Sequence, residues 1–352
     1  MSVNRQERVA WLDSCKGFAM ILVVIGHIMS GYRSAGLFVD ETHIINVLYN
    51  FIYSFHMALF FCISGSVFYM AYVFSERQAG KKYKTQVINL VSVYFLFSIL
   101  QWGFKVAFSS SVNEKLTIKD LLLMPISPMS PYWYLWDLVF FYILFYWLCK
   151  RRLKDGTLTI ISFLISIAGS FVPSVTYNIR SCPFYLFLFW LGIYLAKTEY
   201  RILADRRLAI GCLLILCITI YIAVTDKADV RNIPVLSLIS AIGISFLLLQ
   251  LFASYVNGHI LKGLDIIGRH SLEIYVIHCF ITAANRKILI KLGITNFYIN
   301  VLINMIIAVV IPVAGTLILK RLEINELIFR PATWWSKRKN EQDELYPRND
   351  RG

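Results

Sequence analysis

Asp13, Lys16 and His27 fall within one stretch, WLDSCKGFAMILVVIGHIMS (11–30), whose other residues are mostly apolar. An acid, a base and an imidazole there call for a use. A charged group at mid-bilayer costs about 2.5–3.5 kcal/mol on insertion scales. At about 100° per residue, eleven residues complete three turns and about 20° more, so Lys16 and His27 share a helical face, about 16 Å apart along the axis. Asp13 precedes Lys16 by three residues and is placed to pair with it. The stripe thus offers an ion pair near one end. Deeper along it lies an imidazole, whose ordinary pKa of about 6.5 suits proton transfer near neutrality. The plainer account is a lysine that snorkels to the interface and a histidine that makes a buried hydrogen bond.

Three further stretches carry polar groups in apolar surroundings. In SFHMALFFCISGS (54–66), His56 lies near mid-depth, and Ser64 and Gly65 permit a neighbouring helix to come close. In YWYLWDLVFFY (132–142), Trp133, Tyr134 and Trp136 suit an aromatic belt at the membrane surface, but Asp137, one turn further in, does not. In GRHSLEIYVIHC (268–279), Arg269 and Glu273 are four residues apart and can neutralise each other. Ser271, Tyr275 and His278 form a second stripe. Glu273 is alternatively free to orient a histidine.

The elements that must position these residues follow from composition. The chain has 352 residues, 58% hydrophobic and 16% charged, more apolar and less charged than a soluble domain. The apolar residues fall into ten runs: 9–30, 44–73, 87–108, 131–149, 157–175, 183–197, 208–224, 233–253, 264–284 and 298–318. Runs of this kind cross about 30 Å of hydrocarbon as helices, because lipid offers backbone groups no partners. The expected architecture is therefore all-α, a polytopic membrane protein with about ten transmembrane helices. Most of the Lys and Arg lie in alternate loops that include both chain ends, which puts both termini in the cytoplasm. The same distribution accounts for the net charge of +14 without nucleic acid, by contact with anionic lipid headgroups.

One membrane domain (1–330) precedes a polar cytoplasmic tail (331–352) that reads as disordered. The longest outer loop, 109–130, has the pattern of a short interfacial helix. The seven cysteines form no C-x-x-C pair and read as packing residues. No H-x-x-x-H and no carboxylate cluster stands at metal spacing, so no metal is expected. A glycan or small-molecule transporter or flippase is the alternative class, since buried His, Asp and Glu also make proton relays. Such proteins tend to show paired broken helices in repeated halves, and no such pair is visible.

Lys16-x10-His27 resembles the first-helix signature of acyltransferase family 3. SFHMALFFCISG, WYLWDL and SLEIYVIH follow in the family's order, so the resemblance spans essentially all ten runs. It is especially similar to the fucose 4-O-acetylase-like group. The resemblance implies a membrane-bound O-acyltransferase that moves an acyl group, usually acetyl, from cytoplasmic acetyl-CoA or another acyl-CoA. The acceptor would be a hydroxyl of a cell-surface polysaccharide or lipid-linked glycan, in a bacterial plasma membrane. His27 is then the catalytic histidine, and Glu273 or Tyr275 is a candidate to orient it or His56. Lys16, held by Asp13, would attract the negative CoA moiety. His56, Trp133, Asp137, Tyr275 and His278 are candidates for substrate contact. Lysine stands at 16 where arginine is commoner, keeping the charge and losing the bidentate fork. The family's basic pair at the third helix is also displaced here, leaving Gln86 and Asn89 near those places.

Overall fold

The computed structural model describes residues 5–73, 79–107, 116–173, 177–225, 229–254 and 259–345. Its elements are helices: α1 Arg5–Ala35, α2 Thr42–Phe68, α3 Ala79–Ala107, α4 Ile118–Leu123, α5 Trp133–Lys150, α6 Asp155–Ser170 and α7 Tyr177–Lys197. They continue with α8 Arg206–Thr225, α9 Leu236–Ser254, α10 His259–Arg269, α11 Ser271–Lys291, α12 Phe297–Arg321, α13 Asn325–Phe329 and α14 Pro331–Leu345. No strand occurs among the described residues. Each of the ten apolar runs is mostly helical over its described residues. Seven helical stretches among the described residues are long and apolar enough to cross a membrane: 10–35, 39–73, 80–107, 179–197, 206–225, 236–254 and 297–321. The chain is an all-α polytopic membrane protein.

Its packing is ordered by the low value of apolar contact in lipid, which leaves backbone approach and polar bonds to select partners. Two crossings use glycine. A Cβ built on Gly192 of α7 would lie 1.9 Å from the Cys62 carbonyl oxygen of α2, and one on Gly65 would lie 2.0 Å from that of Phe189. The Ser66 hydroxyl donates to the Gly192 carbonyl across the same contact at 2.9 Å. α1 and α10 repeat the device. A Cβ on Gly17 would meet Leu264 O at 1.9 Å, and one on Gly268 would meet Asp13 O at 1.8 Å. A polar seam joins α1, α11 and α12. Asn285 donates to Asn304 at 3.3 Å, Asn304 donates to the Thr282 carbonyl at 3.4 Å, and the Tyr32 hydroxyl donates to Asn300. α8 is the reverse case. Ile210, Leu214 and Tyr221 are exposed, as expected of a helix that lipid covers.

Three expectations need correction. The run 264–284 is not one helix: α10 ends at Arg269, His270 stands between the two helices, and α11 runs from Ser271 to Lys291. Arg269 therefore does not pair with Glu273. It reaches back to Asp265, with Nε 2.9 Å from Oδ1. That pair neutralises the arginine on its own helix, and the arginine's pKa is raised by its hydrogen bond to Asp265. The tail is not wholly disordered either. Pro331 opens α14, where a missing N–H costs nothing, and α14 packs on α3. The Ala332 amide donates to Asn89 Oδ1 at 2.9 Å, and Asn89 Nδ2 donates to the Thr333 hydroxyl at 3.0 Å. A side chain of α3 thus serves orphan groups of another helix's first turn. Trp133, Tyr134 and Trp136 form no surface belt. Tyr134 is buried against Phe61, Trp133 stacks on Tyr185, and Trp136 lies on Tyr94.

The short helix expected within 109–130 is present as α4, opened by a capping box between Thr117 and Asp120. The Thr117 bonds to its carboxylate hold the Asp120 pKa below its ordinary value.

Replacing Gly192 by leucine should lower the thermal unfolding midpoint in detergent, because overpacking costs about 1–3 kcal/mol. Gly211 of α8, where a Cβ meets nothing within 4 Å, is the control. Leucine there should leave the midpoint unchanged.

Candidate active site

α1 carries His27 as an unbroken helix, and the polar seam to α12 and α11 brings α11 against it. The His27 and His278 ring centroids are 5.0 Å apart. One ligand atom each from His27, His278 and Cys279 falls within 4.8 Å of the others. From the other side, α2 contributes Tyr53, whose ring centroid is 6.2 Å from His27 and 4.8 Å from His56.

Backbone carbonyls fix two of the three histidine tautomers. His56 Nδ1 is 2.6 Å from the Ile52 carbonyl, and His278 Nδ1 is 3.0 Å from that of Ile274. A carbonyl only accepts, so each Nδ1 carries the proton and each Nε2 presents a lone pair. His278 Nε2 stands 3.3 Å from Cys279 Sγ.

Two cavities meet at His27. The larger, about 630 Å³, runs among the C-terminal ends of α1 and α3, the middle and end of α11, and Asn304 of α12. Lys105, Arg286 and Lys287 line it with Gln101, Thr282 and Cys279. Arg286 donates to the Gly31 carbonyl. The smaller, about 290 Å³, is walled by Tyr49, Tyr53, Trp133, Phe184 and Tyr185, with His56, Arg180 and Arg231. Arg231 is fixed by a two-point bond to Asp229, with Nε–Oδ1 at 2.9 Å and Nη2–Oδ2 at 2.6 Å. Its guanidinium carbon lies 4.7 Å from the Tyr49 ring centroid and 5.2 Å from that of Tyr53, a cation–π arrangement.

His27, Ser30, Ser130 and Pro131 belong to both walls. Two tyrosines hold that loop in place. The Tyr275 hydroxyl donates to the Pro131 carbonyl, and the Tyr132 hydroxyl donates to the Val276 carbonyl at 2.8 Å.

The candidates read from sequence divide accordingly. His27, His56, Trp133, Tyr275 and His278 come together here. Asp137 is buried one turn beyond Trp133, beside Ser181, and its Oδ2 has no hydrogen-bond partner. Asp13 and Lys16 form the expected ion pair at 3.0 Å, each about a fifth to a quarter exposed, but line neither cavity. Glu273 is placed away from His27. It is buried at the start of α11 and faces a separate cavity among Arg269, Lys320, Arg330 and Trp334. His270 lies next to it, and burial lowers its imidazole pKa more than the Glu273 charge raises it. Asn89, near a position where the resemblance implies donor binding, is engaged with α14.

Sequence reasoning missed Cys279, although it directly follows His278, because isolated cysteines in apolar runs pass for packing. It also missed Arg231 and Arg286, which entered only as loop charges. His27, His278 and Cys279 are the possible metal ligands. They come from two distant helices, so no spacing motif announces them. The hydrogen bond to Cys279 engages the His278 lone pair that a metal would take.

An imidazole between a cationic cavity and an aromatic one is suited to moving a group between two bound molecules. The acyltransferase domain that defines acyltransferase family 3 matches residues 9–321. The chain belongs to acyltransferase family 3. No curated protein and no solved structure matches it. As a family 3 acyltransferase of the membrane, it places its matched region over α1 to α12, and both cavities fall inside that region.

Asp229→Ala should free Arg231 from its orientation over the tyrosines. The expected result is a rise of roughly tenfold in the apparent KM for the molecule that the smaller cavity holds, equivalent to about 1.4 kcal/mol, with the amount of folded protein unchanged. Adding Arg231→Ala to it should cost little more.

Proposed function

We propose that the protein is an O-acyltransferase that moves an acyl group, acetyl in the simplest case, from cytoplasmic acyl-CoA to a hydroxyl of a cell-surface polysaccharide or lipid-linked glycan. The carrying observation is that His27 stands in the walls of two cavities at once. Both are lined by residues near the helix ends that the loop charges assign to the outside, where such an acceptor would be met. The aromatic cavity suits a sugar ring, with Arg180 and Arg231 to donate to its oxygens. The cationic cavity suits a phosphate or carboxylate on the same acceptor.

In this reading His27 takes the proton of the acceptor hydroxyl as the oxygen attacks the acyl carbonyl. A positioned general base contributes roughly 10²–10⁴-fold. Donors toward the carbonyl oxygen steady the charge that develops there. His56, in the wall of the smaller cavity, helps to hold the acceptor. The CoA end remains on the inner side, attracted by Lys16. Its thioester reaches His27 along α1, a span of about 16 Å.

His27→Ala should remove glycan acylation by at least a hundredfold while the protein remains inserted and monodisperse. The measurement is mass spectrometry of surface glycans from cells with and without the chain, where the mass gained also names the acyl group. Equal acylation with His27→Ala would end the proposal. Lys16→Arg should stay active, whereas Lys16→Ala should raise the apparent KM for acyl-CoA. An unchanged KM would remove Lys16 from the donor site.

A further inference from the structure

Cys279 has a geometry that the mechanism above does not use. Its Sγ is 3.3 Å from His278 Nε2, and the Ile274 carbonyl fixes that nitrogen as an acceptor by taking the Nδ1 proton. The thiol is therefore the donor. A nucleophile, a base and a third group that orients the base make the arrangement of covalent catalysis. Unlike the buried Cys15 and Cys62, Cys279 also lines the larger cavity, and its sulfur and the His27 imidazole fall within one 4.8 Å cluster.

We infer that Cys279 carries the acyl group as a thioester between donor and acceptor. The inference rests on the acyltransferase reading and deepens it. As Sγ attacks the thioester carbonyl of acyl-CoA, its proton passes to His278 Nε2. The Cys279–acyl bond forms, the bond from the acyl carbon to the CoA sulfur breaks, and His278 returns the proton to the departing CoA thiolate. One thioester replaces another, so the acyl group stays activated and no oxidant or reductant is needed. The acceptor hydroxyl then attacks that thioester, giving its proton to His27. The oxygen–acyl bond forms, the Cys279–acyl bond breaks, and the proton returns to the Cys279 thiolate.

The placement gives the relay a purpose. Both cavities are lined by residues near the helix ends assigned to the outside, whereas the donor is cytoplasmic. An acyl group parked on a thiol that faces the outer cavity can wait after CoA has left. The two substrates then need never be bound together. Concerted loss of the proton to His278 also avoids a free thiolate in apolar surroundings, where burial disfavours it.

The test uses the full-length protein in detergent, with the acyl-CoA whose mass matches the glycan gain measured above. Without acceptor, the wild-type chain should exchange radiolabelled CoA into acyl-CoA. A peptide containing Cys279 should carry the acyl mass in a form released by hydroxylamine. Cys279→Ala should lose exchange and glycan acylation by at least a hundredfold. Cys279→Ser, nearly isosteric, should also lose exchange, which guards against an effect of folding alone. Absence of exchange in the wild type, or glycan acylation by Cys279→Ala within a few-fold of wild type, overturns the relay and leaves the acyltransferase reading standing. No glycan mass gain with the wild-type chain overturns both.

Discussion

A polar side chain surrounded by hydrocarbon must find its partner inside the protein. That constraint arranges this molecule. Apolar side chains gain little by leaving lipid for one another, so the helices are sorted by backbone approach at glycine and by bonds between polar groups. The seam of Tyr32, Asn300, Asn304, Asn285 and Thr282 is the clearest product. It joins α1, α11 and α12, and it brings a histidine of one helix beside a histidine and a cysteine of another, some 250 positions later in the sequence. Burial on the outside follows the opposite rule from a soluble protein, with Ile, Leu and Tyr of α8 turned outward.

The architecture was largely legible from the amino-acid order because its governing variable is local. A run of apolar residues long enough to span hydrocarbon is helical whatever its neighbours do, and all ten runs are mostly so over their described residues. Where the outcome differs, the deciding interaction is one that composition and spacing do not single out. Arg269 was assigned to Glu273 by spacing on one helix, but a break at His270 gives it to Asp265. The tail was taken as disordered on polarity alone, while Asn89, far away on α3, supplies bonds to its first turn. The tryptophans near 133 looked like interfacial residues because composition does not say what will stack on them.

The site divides in the same way. His27 stood out because an imidazole is costly in an apolar run, and the same cost drew notice to His56 and His278. Cysteine carries no such cost. Cys279 was invisible until the tautomer of His278 was fixed by a carbonyl one turn earlier. Glu273 shows the converse: its charge attracted attention, and the geometry turned it toward another cavity.

The strip that separates the two cavities contains Ser130 and Pro131, and it is pinned through main-chain atoms: the Pro131 carbonyl on one side and the Val276 carbonyl on the other. The donors are the side-chain hydroxyls of Tyr275 and Tyr132, so the partition stays in place while the other residues of the two cavities change. Substitution elsewhere in one chamber, those two tyrosines excepted, would therefore reshape it without altering its distance from the imidazole that both share.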